Sequence, residues 1–358
     1  MARITIGMPV YQAERFLEEA VRSHLAQTFG DFEIRISDNG STDRTESIAR
    51  RLAAEDSRVR YERHETNRGA IWNLNHVAAG ASGDFFKWSA HDDRLEPTFL
   101  ERCVERLDAD PNIALCFSRV RRIDAHGHEI PDRLLTDGER DGEGTGIGTS
   151  PSVTRRFRDV LLGGSWGIRS NGLIRVPFLA RTMPLLPMFG SEKILVAELM
   201  LRGTYHEIDA PLFCQRIHAA QSSSLESAAE QQRFCDPRKQ RPPRVPHLTF
   251  VRAYGRAISR APIGAGDRLR CYGWLSRYVL RPEMWFDRLT RGLRGKPLGG
   301  GSRALLQRLA DSDPVATDDG ATDIAGPSNP NRRHVAVGSD VASSGTAASG
   351  SPVHGSGR

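Results

Sequence analysis

The chain has 358 residues, of which 39% are hydrophobic and 26% are charged, and it contains five cysteines. This is the composition of a soluble globular protein, long enough for one large domain with an appendage or for two ordinary domains. No apolar stretch at the start of the chain fits a signal peptide, and no window approaches about 18 uninterrupted apolar residues, so we expect neither a secretory leader nor a membrane-spanning helix. The cysteines are scattered and lack metal-ligand spacing, which predicts reduced, packed residues in a cytoplasmic protein.

The formal net charge of +6 is unevenly distributed along the chain. Residues 1–235 carry 30 Lys and Arg against 34 Asp and Glu, and residues 309–358 carry 3 against 6. Residues 236–308 carry 17 against 4, which is a net charge of +13. The basicity therefore belongs to one segment, and such a segment can indicate an anionic membrane, a nucleic acid or a well-solvated helical surface.

Strand and helix patterns alternate over the first 125 residues, which predicts a mostly parallel α/β sheet flanked by helices. The predicted elements are, in chain order, strand Ile4–Tyr11, helix Glu14–Gln27, strand Phe32–Ser37, a helix from Ser41 or Thr42 to about Ala54, strand Val59–Glu62, helix Ile71–Ala79, strand Asp84–Ser89, helix Pro97–Ala109 and strand Ile113–Ser118.

The pattern changes after residue 125. A hairpin is predicted from Val120–Asp124 and the stretch after His128, and residues 136–150, rich in Gly, Asp and Thr, predict a mobile loop. The later predicted elements are helix Val153–Leu162, strand Leu173–Val176, helix Ile194–Arg202 and strand Leu212–Ile217. We divide the chain into an α/β domain over residues 1–235, a basic helical appendage over 236–308, and a tail over 309–358 that is predicted to be disordered because it is rich in Ser, Gly and Asp.

Polar residues gather where three of the predicted strands end. These strand ends carry Pro9-Val10-Tyr11, Asp38-Asn39-Gly40-Ser41-Thr42-Asp43 and His91-Asp92-Asp93. In open α/β sheets, ligands bind at the carboxyl ends of the strands, near a switch in strand order. We therefore expect a ligand site at this edge of the sheet.

The order of these motifs, with Asn67-Arg68-Gly69 between the last two, resembles the nucleotide-sugar-binding domain of family 2 glycosyltransferases. The resemblance covers about residues 1–220 and implies the GT-A fold, with residues 1–235 as the catalytic domain. It also implies transfer of a sugar from a UDP-, GDP- or dTDP-sugar to an acceptor hydroxyl, with inversion of the anomeric centre. The expected acceptor is a glycan or a lipid-linked glycan.

Within this resemblance, residues from several motifs would hold the donor nucleotide. The family residue that matches Asp38 accepts an N–H from the nucleoside base, which an ionised carboxylate can do because it is an acceptor only. The other expected nucleotide-binding residues are Pro9, Val10, Tyr11, Glu14, Asn67, Arg68 and Asp92. Two of these have structural alternatives, since Glu14 also suits the first turn of a helix and Arg68 also suits a surface loop.

Asp92 and Asp93 are the candidate ligands for Mg²⁺ or Mn²⁺. They follow an apolar strand, where adjacent carboxylates without a cation would be unfavourable. A hard divalent ion bound by carboxylates and substrate phosphates relieves that penalty. The DxD-type motif of the family has this position, but Ala90 stands where its first acid is usual, so either Asp92 or Asp93 is the direct ligand and the other holds the ribose. His91 is either a phosphate contact or a space-filling residue.

The second half of the chain supplies the remaining candidates. Glu192, before a predicted helix, matches the acidic base motif of the family and would take the proton from the acceptor hydroxyl. As an alternative, it is only an acid at a helix N-terminus. Arg216 and His218 resemble an R-x-H element that contacts the diphosphate or closes the wall of the site, although Arg216 equally suits a structural salt bridge.

Two other classes of protein compete with this interpretation. A dinucleotide-dependent oxidoreductase needs a glycine-rich turn after the first strand, and Met8-Pro9-Val10-Tyr11-Gln12 offers none. A catalytically decayed sugar-nucleotide-binding protein that acts through its basic segment is the second alternative, and the altered acidic motif is its main support.

The basic segment combines its charge with apolar residues at helical spacing. Leu269, Tyr272, Leu275 and Val279 are predicted to form one stripe. That stripe either packs on the catalytic domain, with the arginines facing water, or attaches the protein peripherally to the anionic inner face of a membrane. No recognisable nucleic-acid module accompanies the charge, so nucleic acid is not an expected partner.

Overall fold

The computed structural model describes residues 2–136, 150–163, 168–239, 246–281 and 301–312. Nearly all of the loop predicted over residues 136–150, and the chain from residue 313 onward, lie outside these ranges. No helix within the described ranges is long and apolar enough to cross a membrane.

The elements in the first half are β1 (Ile4–Val10), α1 (Leu17–Leu25), β2 (Phe32–Asp38), α2 (Thr45–Glu55), β3 (Val59–Arg63), α3 (Ala70–Ala79), β4 (Phe85–Trp88), β5 (Arg94–Leu95), α4 (Phe99–Ala109) and β6 (Ile113–Ile123). Those in the second half are α5 (Val153–Leu162), β7 (Leu173–Arg175), α6 (Val176–Leu179), α7 (Glu192–Met200), β8 (Thr204–Arg216), α8 (Ala228–Cys235), α9 (Pro246–Arg260), α10 (Ala265–Val279) and α11 (Gly301–Ser312).

Eight of the described strands form one mixed sheet, in the order β3-β2-β1-β4-β7-β6-β8-β5. The first four are parallel, with Val10 of β1 opposite Asp38 of β2 and Gly7 of β1 opposite Trp88 of β4. The chain runs outward from β1 to β3 and then returns to β4 on the other side of β1. This reversal creates a switch in strand order between β1 and β4, at the edge where the polar motifs lie.

Hydrophobic side chains pack on both faces of this sheet, and neighbouring residues of β4 show the alternation. Phe85 belongs to the core that contains α1, α2 and α4, whereas Phe86 belongs to the core that contains α5, α7, α9 and α10. Successive residues of a strand point to opposite faces, so a four-residue strand buried throughout requires layers on both sides. The predicted α/β sheet flanked by helices is confirmed.

Several elements differ from the sequence prediction. β6 is one strand over the whole of Ile113–Ile123, so the first arm of the predicted hairpin continues the preceding strand, and only the bridge between Ile123 and Glu129 follows it. β8 begins at Thr204, well before the predicted Leu212, because it pairs along β6. The short β5 and the helix α8 were not predicted. Their stability comes from contacts with distant parts of the chain, which periodicity does not report.

Helices α9 and α10 of the basic segment share a core with residues from before position 235. Ala257 of α9 and Cys271 of α10 are fully buried, in the same cluster as Phe157 of α5 and Val196 of α7. The predicted boundary at residue 235 is therefore crossed by a continuous hydrophobic core. Whether the segment has a separate function stays a prediction.

The predicted stripe on α10 is wrong in its composition. The buried residues of α10 are Cys271, Leu275 and Tyr278. Leu269 is 74% exposed and Tyr272 is 37% exposed, so both turn away from the core. The prediction fails because the packed face is set by α5 and α9, which the spacing of apolar residues within α10 does not specify.

The last described helix, α11, extends through Ser312 and so includes the first residues of the predicted tail. Leu305 is 1% exposed and packs with Ile130, Leu135 and Ile217. Burial of these apolar side chains stabilises the helix in spite of the polar composition that follows it.

Candidate functional site

The turns after β1 and β2 are hydrogen-bonded to each other. Gln12, whose φ is 52°, donates its backbone N–H to Ser41 Oγ at 2.9 Å, and its side-chain Oε1 accepts the backbone N–H of Thr42 at 2.7 Å. Glu14 Oε2 accepts the backbone N–H and the Nε–H of Arg44, each at 3.1 Å. The two turns are thus held together by their own side chains.

Of the residues Pro9, Val10 and Tyr11 at the end of β1, Tyr11 has an accessible aromatic ring. Val10 is buried and Pro9 is half-buried, whereas Tyr11 is 45% exposed. A large exposed aromatic side chain at the carboxyl edge of a sheet is a surface on which a planar ligand can stack. The predicted nucleotide contacts of these residues remain predictions.

Asp38, at the end of β2, is fully buried and hydrogen-bonded. Its Oδ1 accepts the backbone N–H of Ser41 at 2.8 Å, and its Oδ2 accepts the hydroxyl of Tyr61 at 2.8 Å. Arg63 Nε lies 3.7 Å from the same Oδ2. Burial, followed by the hydrogen bond to Asp38, raises the pKa of Tyr61. The protein therefore fixes the orientation of Asp38 from three sides, as a preorganised acceptor requires.

Asn39 has a role that the sequence analysis missed. Its Nδ2 donates to Asn67 Oδ1 at 3.0 Å and to Gly69 O at 3.2 Å, and its Oδ1 accepts the backbone N–H of Arg68 at 3.0 Å. Gly69 has a φ of 94°, a conformation that favours glycine. The side chain of Asn39, buried to 2% exposure, therefore ties the Asn67-Arg68-Gly69 loop to the Asp38 turn.

Asp92 and Asp93 lie in the turn after β4, each engaged through one carboxylate oxygen. Asp92 Oδ2 lies 2.9 Å from His218 Nε2, and Asp93 Oδ1 accepts the backbone N–H of Arg216 at 2.9 Å. Burial acts to raise the pKa of Asp92, but the hydrogen bond from His218 and the imidazole of His91 bring that pKa below its usual value. Burial and the charge of Asp92 raise the pKa of Asp93 well above its usual value.

Arg216 holds the Asp92-Asp93 turn in place through hydrogen bonds. It is 2% exposed, and its guanidinium donates to Asp92 O at 2.8 Å, to Glu19 Oε2 at 2.7 Å and to Asp124 O at 3.3 Å. The guanidinium carbon also lies 4.6 Å from the centroid of the Phe16 ring. The ion pair with Glu19 is a structural salt bridge, as one alternative predicts, and a contact of Arg216 with the diphosphate stays a prediction. Nothing in the sequence marked Glu19 as its partner.

His91 and His218 both interact with Asp92. His91 is half-buried, and burial lowers the pKa of its imidazole. His218 is 6% exposed, and its ring lies 4.9 Å from that of Phe16. His218 therefore joins Asp92 to Phe16, and its part in the wall of the site, like a contact of either histidine with phosphate, stays a prediction.

Lys87 is a second buried charge that the sequence analysis missed. It sits in β4 among apolar neighbours, fully buried, and its Nζ donates to the backbone oxygens of Trp88 and Asn171. Burial lowers its pKa to about 8, while the nearby charge of Asp93 acts in the opposite direction. Lys87 therefore contributes positive charge beneath the Asp92-Asp93 turn.

Glu192 is the first residue of α7 and is half-buried, and burial raises the pKa of its carboxyl. Burial, followed by the charges of Glu192 and Asp236, raises the pKa of Cys235 to about 12. The C-terminal end of α8 also contacts the loop after β3. Gly69 lies so close to the carbonyl oxygen of Cys235 that any larger side chain at this position would overlap that oxygen. Glu192 thus interacts with a helix end that borders the predicted nucleotide loop.

The residues at the turn after β4 suit a hard cation. Asp92 and Asp93 offer carboxylate oxygens, and the raised pKa of Asp93 reflects a negative charge that burial leaves poorly compensated. Two carboxylates completed by substrate phosphates are a usual way for proteins to hold Mg²⁺. Among the described residues, a group of three or more His, Cys, Asp or Glu side chains within reach of one ion occurs elsewhere, at Glu62, His64 and His76.

Comparison with known sequences agrees with this geometry. Residues 5–165 match the family model described as glycosyl transferase family 2. An uncharacterised glycosyltransferase of Rickettsia bellii (strain RML369-C) is 31% identical over 138 residues, which are 37% of this chain and 20% of that protein. The chondroitin synthase of Escherichia coli is 32% identical over 127 residues, 36% of this chain and 18% of that protein. The chain thus aligns with about a fifth of the length of these relatives.

Comparison with solved structures addresses the fold. S. aureus TarS 1-349 in complex with UDP-GlcNAc has a TM-score of 0.57 to this chain at 15% sequence identity, covering 86% of this chain and 80% of that one. The complex of TarS 1-349 with UDP has a TM-score of 0.54 at 14% identity, covering 79% and 74%. Residues 5–165 thus match glycosyl transferase family 2, and the likeness to TarS, together with the strand order, shows that the chain has the GT-A fold.

Proposed function

We propose that this protein transfers a sugar from a nucleoside-diphosphate sugar to an acceptor hydroxyl, in the synthesis of a glycan or glycolipid. The observation that carries the proposal is the placement of Asp38 and the Asp92-Asp93 pair at the carboxyl ends of β2 and β4, on either side of β1. That edge is where open α/β sheets bind nucleotides. The binding of UDP-GlcNAc by TarS, a protein of the same fold, supports a nucleotide-sugar donor.

The residues divide into three groups by their proposed roles. Asp38, held by Ser41 and Tyr61, accepts an N–H of the nucleoside base, and the loop fixed by Asn39 borders the same pocket. Asp92 and Asp93 would hold Mg²⁺ or Mn²⁺, which when bound supplies Lewis-acid stabilisation of the leaving diphosphate. Glu192 accepts the proton of the acceptor hydroxyl as its oxygen attacks the anomeric carbon, so that a single displacement inverts that centre.

A catalytically decayed sugar-nucleotide-binding protein is the alternative, favoured by Ala90 at the position of an expected acid. The two proposals share the nucleotide site and differ in turnover. Hydrolysis or transfer of a donor sugar by the unaltered protein therefore distinguishes them.

Donor binding can be tested by a thermal-shift screen of UDP, GDP and dTDP with and without Mn²⁺. We expect one nucleotide to raise the melting temperature, since a ligand at about 100 times its Kd stabilises the folded state by about 2.7 kcal/mol. Asp38→Asn should remove this shift, because an amide presents an N–H in place of an acceptor oxygen. Asp31→Asn, just before the other end of β2, should retain it. No shift with any of the three nucleotides would contradict the proposed donor class.

We also propose that α10 attaches the protein peripherally to an anionic membrane surface, on the side where a lipid-linked acceptor would be met. Its outward face carries Leu269, 74% exposed, together with exposed Arg270 and Arg277. Leu280, just after the helix, is 75% exposed. Exposed leucines among arginines suit the boundary between lipid headgroups and acyl chains.

Vesicle flotation tests this attachment. Binding should be stronger to phosphatidylglycerol vesicles than to phosphatidylcholine vesicles and should weaken with salt. Arg270→Gln/Arg277→Gln should weaken binding by about 2 kcal/mol, or roughly 30-fold, whereas Arg50→Gln/Arg51→Gln on α2 should leave it unchanged. Point variants are preferable to truncation after Cys235, because α9 and α10 complete the core. Equal recovery with both vesicle types at low salt would leave α10 as a structural helix only.

A further inference from the structure

Three side chains that could bind a metal ion, those of Glu62, His64 and His76, lie on the far side of β2 from the Asp92-Asp93 turn. Glu62 is near the end of β3, His64 follows that strand, and His76 is on α3. The three side chains each bring one ligand atom to within 4.8 Å of the others, and Glu62 Oε1 lies 2.7 Å from His76 Nε2. About 43% of the Glu62 side chain and 35% of the His76 side chain are exposed, so solvent ions can reach them.

The hydrogen bonds behind His64 determine which of its ring nitrogens is free to bind a cation. Asn73 Nδ2 donates to Ser37 O at 2.8 Å, which directs its Oδ1 to accept the Ser37 hydroxyl at 2.7 Å. Because the hydroxyl hydrogen of Ser37 is used in that bond, the 2.9 Å contact between Ser37 Oγ and His64 Nε2 requires Nε2 to donate. The proton of His64 is therefore on Nε2, and Nδ1 carries the lone pair.

This arrangement is the one that orients metal-binding histidines in proteins. A ligating imidazole usually donates its other N–H to an acceptor of the protein, which fixes its tautomer and the direction of its ring. Burial, followed by the neighbouring His76, lowers the pKa of His64 and so favours the neutral form that binds metals. Trp72 stacks on His76 with centroids 4.9 Å apart and meets His64 edge-on at 4.8 Å, so both imidazoles are held in place.

One positive charge opposes a cation here. The guanidinium of Arg68, in the loop before α3, lies 3.8 Å from the centroid of the Trp72 ring on that helix. The carboxylate of Glu62 provides a compensating negative charge directly in the cluster.

We propose that Glu62, His64 and His76 form a binding site for Zn²⁺, with His64 ligating through Nδ1 and one coordination position left open. Two imidazoles and one carboxylate suit borderline cations such as Zn²⁺, whereas the oxygen-only pair at Asp92 and Asp93 suits Mg²⁺ or Mn²⁺. A bound ion would join the end of β3 to α3 and so close the loop that contains Asn67, Arg68 and Gly69. The proposal does not depend on glycosyl transfer.

Metal binding to the purified full-length chain tests the site. After chelator treatment and desalting, Zn²⁺ should bind to the unaltered protein with one equivalent more than to His64→Gln/His76→Gln. Co²⁺ as a probe should show the visible absorption of a tetrahedral nitrogen-containing site only where both histidines are present. Zn²⁺ should also raise the melting temperature of the unaltered protein more than that of the double variant.

Controls separate this site from other histidine-carboxylate pairs and from unfolding. His126→Gln/His128→Gln removes two histidines beside Asp124 and should leave the stoichiometry unchanged. Should His64→Gln/His76→Gln fail to fold, the single His76→Gln variant, which changes a partly exposed side chain, decides by its affinity, expected to fall roughly 100-fold or more. Equal Zn²⁺ stoichiometry and affinity in the unaltered protein and the folded variants would overturn the proposal.

Discussion

Replacing both Asp92 and Asp93 with alanine is expected to lower sugar transfer by roughly 10³-fold, which corresponds to about 4 kcal/mol of transition-state stabilisation. For the unaltered protein, EDTA should abolish transfer, and added Mg²⁺ or Mn²⁺ should restore it. The physical reason is the negative charge that develops on the leaving diphosphate, which a cation held by the two carboxylates would neutralise.

The structure also predicts different consequences for the two single variants. Burial and the charge of Asp92 disfavour the ionised form of Asp93, and an asparagine oxygen can still accept the backbone N–H of Arg216, so Asp93→Asn should lower activity without lowering thermal stability. Asp92 has more exposed carboxylate surface, and His218 is its partner. The lowered pKa of Asp92 means that its ionised form stabilises the fold, so Asp92→Asn should lower thermal stability as well as metal-dependent transfer.

Donor hydrolysis and transfer, measured across a metal titration, provide the readout. Asp56→Asn is the control, because Asp56 is a surface acid at the opposite end of the sheet, paired with Arg58. Full activity in excess chelator would remove the metal role from Asp92 and Asp93. If the unaltered protein binds donor but neither hydrolyses nor transfers it, the decayed-enzyme alternative is favoured.

The half of the site built on the parallel strands could be predicted from the sequence. β1 and β4 are short, largely apolar runs, Asp38 is the last residue of β2, and Asp92-Asp93 lie in the turn after β4. When a strand is buried on both faces, its ends are the only places where polar side chains meet solvent. Local pattern and motif order therefore sufficed for these residues.

The supporting contacts could not be predicted, because they join distant parts of the chain. Arg216 and Glu19 are 197 residues apart and form one ion pair, and nothing local to either residue indicates the other. Asn39 is a partial exception. An amide side chain next to Asp38 in the same turn can make a second set of hydrogen bonds, but the sequence does not show which loop it holds.

The burial of the charged Lys87 within an apolar strand could not be predicted from the sequence either. Lys87 lies between Phe86 and Trp88, and its burial depends on backbone oxygens of Trp88 and Asn171 that the fold places around it. On α10, the packed face depends on α5 and α9, so apolar spacing alone assigned Leu269 and Tyr272 to the wrong side. In both cases tertiary contacts override the local pattern.

Glu192→Gln is expected to lower kcat by roughly 10²-fold or more while leaving donor binding unchanged. Glutamine has the shape of glutamate but cannot accept the proton of the acceptor hydroxyl. Because Glu192 acts on the acceptor in this proposal, the affinity for the donor nucleotide, measured by thermal shift, should match that of the unaltered protein.

The pH dependence of the unaltered protein provides a second readout. A general base works when it is ionised, so activity is present above its pKa and is lost as the pH falls through it. Burial raises the pKa of Glu192, and the acidic limb of kcat/KM should therefore lie above the usual carboxyl range near about 4.3. In Glu192→Gln this limb should disappear from the residual activity.

Glu198 offers a matched control on the same helix. It is fully buried in α7, burial also raises its pKa, and its Oε2 accepts the backbone N–H of Met183 at 2.7 Å. Glu198→Gln makes the same chemical change away from the proposed pocket, so it should alter stability but retain kcat and the acidic limb. If Glu192→Gln and Glu198→Gln have the same kcat as the unaltered protein, the base is another residue. If both lose activity in parallel with stability, Glu192 acts only as the first residue of α7, the alternative that its position in the sequence left open.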